Sequence, residues 1–280
     1  MSSLASARSL LFVPGNDAHK LEKALSAGAD AVVADLEDAV PAGEKETARS
    51  LVAALLAGAR TESLVAVRVN GAGTAFWEED LRALAGLFLD ALVLPKATPD
   101  AVAELPADAP PVVAVVETAR GVKHAYETAS APPVAALALG AVDLSLELGL
   151  EPRPDGQEVL LARSQLVLDS AAAGIRAPFD LVHLATQDPE GLECECRLAR
   201  SLGFRGKLCI HPAQVEIVNR VFSPSAEDVE RARRIVEAYE RGAAEGRGAV
   251  ALDGEMVDLP VVERAKGILA EAERSPPHGS

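Results

Sequence analysis

Two carboxylates close two apolar runs. Residues 112–118 read VVAVVET, with Glu117 following five apolar residues, and residues 134–143 read VAALALGAVD, with Asp143 at the end. Short, valine-rich runs cut off by a polar residue have the character of buried parallel strands. In a barrel of alternating strands and helices, the C-terminal strand ends carry the chemistry. Two acids on neighbouring strand ends leave coordination positions open for water and substrate, which suits a hard divalent ion such as Mg2+. Glu117 and Asp143 are therefore the candidate metal ligands. Taken singly, each is equally well a polar residue at a solvent-facing strand mouth; their recurrence in one context favours the metal.

The elements that would position them alternate along the chain. Strands are expected at Ser9–Val13, Asp30–Asp38, Leu64–Asn70, Ala91–Lys96, at the two runs above, at Phe179–Leu184 and at Lys207–Pro212. Helices are expected between them, including Glu44–Leu56, Phe76–Leu87, Gly121–Ala129, Glu158–Ala173 and Gly191–Leu202, with a loop over Glu147–Asp155. Eight strand-then-helix units predict an α/β protein of the (β/α)8 TIM-barrel class over residues 1–222. An open doubly wound sheet is the rival, but Pro14-Gly15-Asn16-Asp17 after the first strand is not a glycine-rich phosphate turn. Residues 223–280 change character: a charged amphipathic helix over Ala226–Ala244, a hairpin-like stretch to Pro260, and a last helix. They read as a C-terminal extension packing on the barrel or on a neighbouring subunit, with Pro276–Ser280 disordered.

Composition narrows the partners. A hydrophobic fraction of 49% and a formal net charge of -15 describe an acidic globular chain without the basic face that nucleic acid or anionic membrane requires. No stretch has the continuous apolar length of a membrane span, and the opening MSSLA lacks the regions of a secretion signal, so a cytoplasmic enzyme is expected. Cys194, Cys196 and Cys209 form no disulfide framework, and the spacing of two between Cys194 and Cys196 points the thiols to different helix faces.

Several strand ends together are more specific: Arg8-Ser9-Leu10-Leu11-Phe12-Val13-Pro14-Gly15, Asp35-Leu36-Glu37-Asp38, Val67-Arg68-Val69-Asn70, Leu94-Pro95-Lys96, Glu117, Leu139-Gly140-Ala141-Val142-Asp143 and Asp253-Gly254-Glu255-Met256-Val257-Asp258. In order and spacing they resemble the citrate lyase beta subunit and its relatives, the malyl-CoA and citramalyl-CoA lyases, within the HpcH/HpaI aldolase group. The resemblance implies Mg2+-dependent (or Mn2+-dependent) cleavage of a carbon–carbon bond in a 3-hydroxyacyl thioester by a homotrimer or dimer of trimers. The products would be an acetyl thioester and a 2-oxo acid such as oxaloacetate, glyoxylate or pyruvate. It also implies Glu117 and Asp143 as metal ligands, Arg68 as the substrate-binding arginine, and Asp258 as an acid inserted from a neighbouring subunit. The nucleotide phosphates of CoA would lie near Arg8, Lys20 and Lys23. A carrier-protein-dependent citrate lyase component and a non-catalytic Mg2+/2-oxo acid binding protein are the alternatives.

The remaining residues keep more than one reading. Arg68 can stabilise developing negative charge or simply pair with Glu37 or Asp38. Glu37 and Asp38 can hold water on the metal, orient Arg68 or cap the next helix. Lys96 suits charge balance or structure better than a Schiff base, and His211 suits a hydrogen-bonded barrel position better than metal ligation. Gly140 and Ala141 are small enough to let a substrate carboxylate approach.

Overall fold

The computed structural model describes residues 3–58, 61–153 and 155–274, so Pro276–Ser280 lie outside the described residues. The chain divides into two compact units, Met1–Phe222 and Ser223–Ser280.

In the first unit strands and helices alternate. They are β1 (Ser9–Pro14), α1 (Ala18–Leu25), β2 (Ala31–Asp35), α2 (Lys45–Gly58), β3 (Leu64–Arg68), α3 (Trp77–Leu84), β4 (Ala91–Leu94), α4 (Pro99–Ala103) and β5 (Val112–Val116). They continue as α5 (Ala119–Lys123), α6 (Ala125–Ala129), β6 (Val134–Leu139), α7 (Ala141–Leu148), α8 (Leu160–Ala172), α9 (Pro189–Leu202), β7 (Lys207–Cys209) and α10 (Val215–Val221). All strands pair in parallel in the order β6-β5-β4-β3-β2-β1-β7. The gap between β6 and β7 is closed by two residues: Phe179 bridges Ala138, and Asp180 bridges Lys207. The result is a (β/α)8 barrel.

Alternation sorts the strand residues. Leu10, Val33, Ala66, Val93, Val115, Ala138, Phe179 and Leu208 pack together as one buried cluster, while their sequence neighbours Leu11, Val32, Val67, Leu92, Val116 and Leu137 join a larger cluster with the helices. The first set is the barrel interior and the second the layer between barrel and helices, as the period of two requires.

The structure corrects several expected boundaries. The strand expected at Phe179–Leu184 contributes only Phe179 and Asp180, which bridge β6 and β7; β6 ends at Leu139, and Leu181–Leu184 leave the sheet. The strand expected to reach Asp143 stops at Leu139; the chain turns at Gly140, and Asp143 lies in the first turn of α7. For the same reason Glu147 is helical rather than in a loop. The second strand ends at Asp35, leaving Glu37 and Asp38 in the following turn. The helix expected over Gly121–Ala129 is two short helices broken at His124.

Side chains lock the two-residue wall. Asp180, fully buried, accepts hydrogen bonds of 3.0 Å from Arg163 Nε, Arg163 Nη2 and Lys207 Nζ. Lys207 Nζ also lies 2.8 Å from Glu195 on α9. Burial alone would raise the Asp180 pKa, but Lys207 and Arg163 more than offset it and hold the carboxyl below the usual range.

The second unit comprises α11 (Ala226–Ala244), an antiparallel hairpin of β8 (Val250–Leu252) and β9 (Glu255–Val257), and α12 (Leu259–Arg274). Asp253 and Gly254 both have positive φ, which the tight hairpin turn demands. Arg231 pairs with Glu255 at 2.6 Å and Arg234 with Asp253 at 2.9 Å, tying α11 to the hairpin. Asp258 is half-buried and accepts from the Val261 N–H at 3.4 Å, capping the start of α12.

Candidate active site

The inward parity of each strand, carried to its C-terminal end, selects the site. Ala31 and Val33 lead to Asp35, Leu64 and Ala66 to Arg68, Val113 and Val115 to Glu117, and Ala136 and Ala138 to Gly140. Register does the rest: Asp35 pairs directly with Arg68, and Gly140 donates its N–H to Val116 O, placing it beside Glu117.

Arg68 is held from three sides. Its Nε and Nη2 donate to the two carboxylate oxygens of Asp35 at 2.7 and 2.6 Å, a bidentate fork. Its Nη1 lies 2.9 Å from Glu37 Oε2, and its guanidinium sits 5.2 Å from the centre of the Phe12 ring. Asp38 is more distant, 3.9 Å from Nη1, and exposed. The Nη1–Glu37 contact is an ion pair without hydrogen-bond alignment, so Glu37 Oε2 is buried with no hydrogen bond. Burial raises the Glu37 pKa against the pull of Arg68 and Lys96.

Glu117 is 4% exposed and accepts the Lys96 backbone N–H at 2.7 Å. Burial first, then the charges of Glu37 and Asp143, push its pKa up to about 8. Gly140 leaves the space that this carboxylate fills: a Cβ there would collide with Glu117 Oε2 and come within 2.5 Å of Glu117 Cβ. Gly140→Ala is therefore expected to displace Glu117 and lower both divalent-metal affinity and turnover at least ~10-fold, the scale of 1–3 kcal/mol of overpacking, measured by metal titration and steady-state kinetics. Asp143 is partly exposed, with Oδ1 3.7 Å from Lys96 Nζ.

Arg68, Glu117, Gly140, Ala141 and Asp143 all line one cavity of about 470 Å3 at the C-terminal mouth of the barrel, with Leu184 and Ile210 on its apolar side. No cluster of three or more His, Cys, Asp or Glu side chains with metal-holding geometry occurs among the described residues. Two carboxylates fit an ion that takes its other ligands from water and substrate. The charge balance fits as well. Five carboxylates, Asp35, Glu37, Asp38, Glu117 and Asp143, gather around the side-chain cations of Arg68 and Lys96, while Lys45 donates to backbone carbonyls and Asn70, so among the described residues the acids outnumber their ion-pair partners. Burial and the neighbouring carboxylates oppose ionisation of Glu117, and a cation held beside it would favour the ionised form.

The other expected residues fall elsewhere. Arg8 precedes β1 and so lies at the opposite end of the barrel, where its Nε and Nη2 fork onto Asp30 at 2.8 Å. It is 8% exposed there, and a role on the phosphates of a ligand at the mouth is withdrawn. Lys20 and Lys23 are exposed on α1, which leaves the mouth, and Lys20 pairs with Asp17 at 3.2 Å. His211 Nδ1 accepts the Ala213 N–H at 3.2 Å and caps a short turn. A buried polar chain missed in the sequence lies beneath the mouth. Lys45 Nζ donates to Leu36 O, Glu37 O and Asn70 Oδ1 at 2.6–2.7 Å, and Asn70 donates to Asp80, which meets Arg49. It fixes the turn that carries Glu37.

Residues 8–212 match the family described as HpcH/HpaI aldolase/citrate lyase, and residues 164–273 match the carbon–carbon bond lyases of the TIM-barrel fold. The (3S)-malyl-CoA thioesterase of Cereibacter sphaeroides is 40% identical over 95% of this chain and 94% of its own. The chain belongs to the HpcH/HpaI aldolase/citrate lyase family. Within that family the citrate lyase subunit beta of Leuconostoc mesenteroides is 37% identical over 94% of this chain and 92% of its own. The CitE protein of Mycobacterium tuberculosis, solved with magnesium, acetoacetate and coenzyme A, superposes with a TM-score of 0.84 at 39% identity. It covers 96% of this chain and 100% of that one.

Proposed function

We propose that the chain is a Mg2+-dependent carbon–carbon lyase cleaving a 3-hydroxyacyl-CoA of the malyl, citramalyl or citryl type to acetyl-CoA and a 2-oxo acid. The observation that carries this reading is the convergence of Glu117, Asp143 and Arg68 on one cavity at the mouth of a lyase-family barrel. The magnesium, acetoacetate and coenzyme A in the related CitE structure support the same ligands here. Held by Glu117 and Asp143, Mg2+, or Mn2+ in its place, would supply Lewis acidity toward the substrate's hydroxyl and adjoining carboxylate.

The chain's own residues do the rest. Arg68, fixed by Asp35 and Glu37, presents its remaining N–H groups to the carboxylate and to the oxygen that becomes the keto group. Gly140 and Ala141 let that carboxylate approach the backbone. As the hydroxyl passes its proton to solvent water in the cavity, the carbon–carbon bond breaks and its electron pair passes to the thioester fragment as an enolate. Protonation of the enolate carbon by Asp258, donated by a neighbouring subunit in a homotrimer or dimer of trimers, completes acetyl-CoA. Lys20 and Lys23 on α1 would meet the nucleotide phosphates. The enzyme acts in the cytoplasm on free or carrier-bound thioesters.

The thioesterase relative supports a second reading, hydrolysis of the same thioester. Incubation with malyl-, citramalyl- and citryl-CoA separates the two. The lyase releases acetyl-CoA with a 2-oxo acid, hydrolysis releases free CoA with the hydroxy acid, and chelation of the metal is expected to abolish the lyase products. No product from any of the three with metal present would overturn the proposal for free CoA esters.

A further inference from the structure

Lys96 stands in a conformation that favours glycine. Its φ is 48°, and the other non-glycine residue with positive φ among the described residues is Asp253, in the hairpin turn. Such a backbone is disfavoured for a residue with a side chain. Its product is the 2.7 Å hydrogen bond from the Lys96 N–H to Glu117 Oε1. A glycine would give that bond without strain, so the bond does not explain the lysine. The side chain does a different thing: Nζ lies 3.2 Å from Glu37 Oε1 and 3.7 Å from Asp143 Oδ1. The side chain is 47% exposed, so the ammonium has solvent to move into while the backbone stays on Glu117.

We propose that the Lys96 ammonium is the resident counter-cation of the acid cluster, which a divalent ion displaces from Asp143 on binding, so that Lys96 sets the metal affinity of the site. The proposal rests on the reading of Glu117 and Asp143 as metal ligands. Glu37 is already paired with Arg68, whereas Asp143 has only Lys96 as an ion-pair partner among the described residues, so the competition falls on Asp143. A single positive charge beside a divalent one costs about tenfold in affinity at low ionic strength and about threefold at physiological salt. Lys96 is thus a positioning residue in two separable parts, a backbone donor to Glu117 and an ammonium that opposes the metal.

The test is calorimetric titration of Mg2+ into the full chain and its Lys96→Gly, Lys96→Met, Lys96→Arg and Glu117→Gln variants, without substrate, at low and physiological salt. Lys96→Gly and Lys96→Met are expected to bind Mg2+ about tenfold more tightly at low salt, with the gain shrinking as salt rises, and Lys96→Arg to bind as the wild type does. Should Lys96→Met fail to fold, Lys96→Gly decides alone, since it relieves the backbone strain. Unchanged or weaker binding in Lys96→Gly, beside wild-type binding that Glu117→Gln abolishes, overturns the counter-cation and leaves the metal site standing. Absence of Glu117-dependent binding in the wild type and in every Lys96 variant overturns both.

Discussion

Glu117→Gln is expected to give a folded protein whose metal-dependent turnover has fallen by about three orders of magnitude, the scale of losing several kcal/mol of charge stabilisation at the reacting centre. The amide keeps the shape that Gly140 accommodates, and its oxygen can still accept the Lys96 N–H. Thermal unfolding should therefore shift by no more than about 1 kcal/mol, the usual range for a near-isosteric change that keeps its hydrogen bond. What disappears is the negative charge, and with it one of the two protein ligands proposed for a hard cation. Circular dichroism and metal titration on one sample check both halves. A variant that unfolds, or one that folds and retains turnover, would remove Glu117 from the chemistry.

Asp180→Asn is expected to have the largest effect on stability, with activity per folded molecule little changed. Arg163 and Lys207 are both essentially buried and converge on this carboxylate, so neutralising it takes the bidentate partner from Arg163 and leaves the two buried cations to share Glu195. Breaking a buried pair from one side costs about 3–5 kcal/mol, which in a domain of this size lowers the melting temperature by roughly 10 °C. The sign with pH follows from the lowered pKa of Asp180. Its contribution is present above the unfolded-state value near pH 4 and is lost as pH falls through the lower folded value. Acid unfolding of the wild type should therefore be steep below about pH 4, and the variant should show a shallower dependence there. Chemical denaturation at a series of pH values measures both.

The alternation of apolar runs and helices made the barrel legible, because a buried parallel strand leaves an apolar signature that ends where the mouth begins. Arg68 and Glu117 were visible for that reason: each interrupts such a run near its C-terminal end. Asp143 was placed at a strand end because Leu139-Gly140-Ala141-Val142 continues the apolar pattern; Gly140 marks where the chain turns into a helix. Arg8 illustrates the opposite error. It is close in sequence to the first strand, but it precedes that strand, and parallel strands send everything before them to the far end of the barrel. Lys45 carried no signal, since a lysine at the start of a helix usually faces solvent; only the fold shows that the carbonyls of Leu36 and Glu37 converge on it. Asp35 was within reach, because alternation from Ala31 and Val33 puts it on the inner face opposite Arg68.

The wall between β6 and β7 is a seam. Only Phe179 and Asp180 bridge it, and the next residues around the mouth, Val182 and Leu184, hang beyond the last rung of the ladder and form part of the cavity's apolar side. Their positions can be redrawn by insertion or substitution at little cost in backbone pairing, while Asp35 and Arg68 stay locked in register on the far side. Evolution or an engineer wishing to admit a bulkier acyl group has a natural place to cut, and the chemistry need not notice.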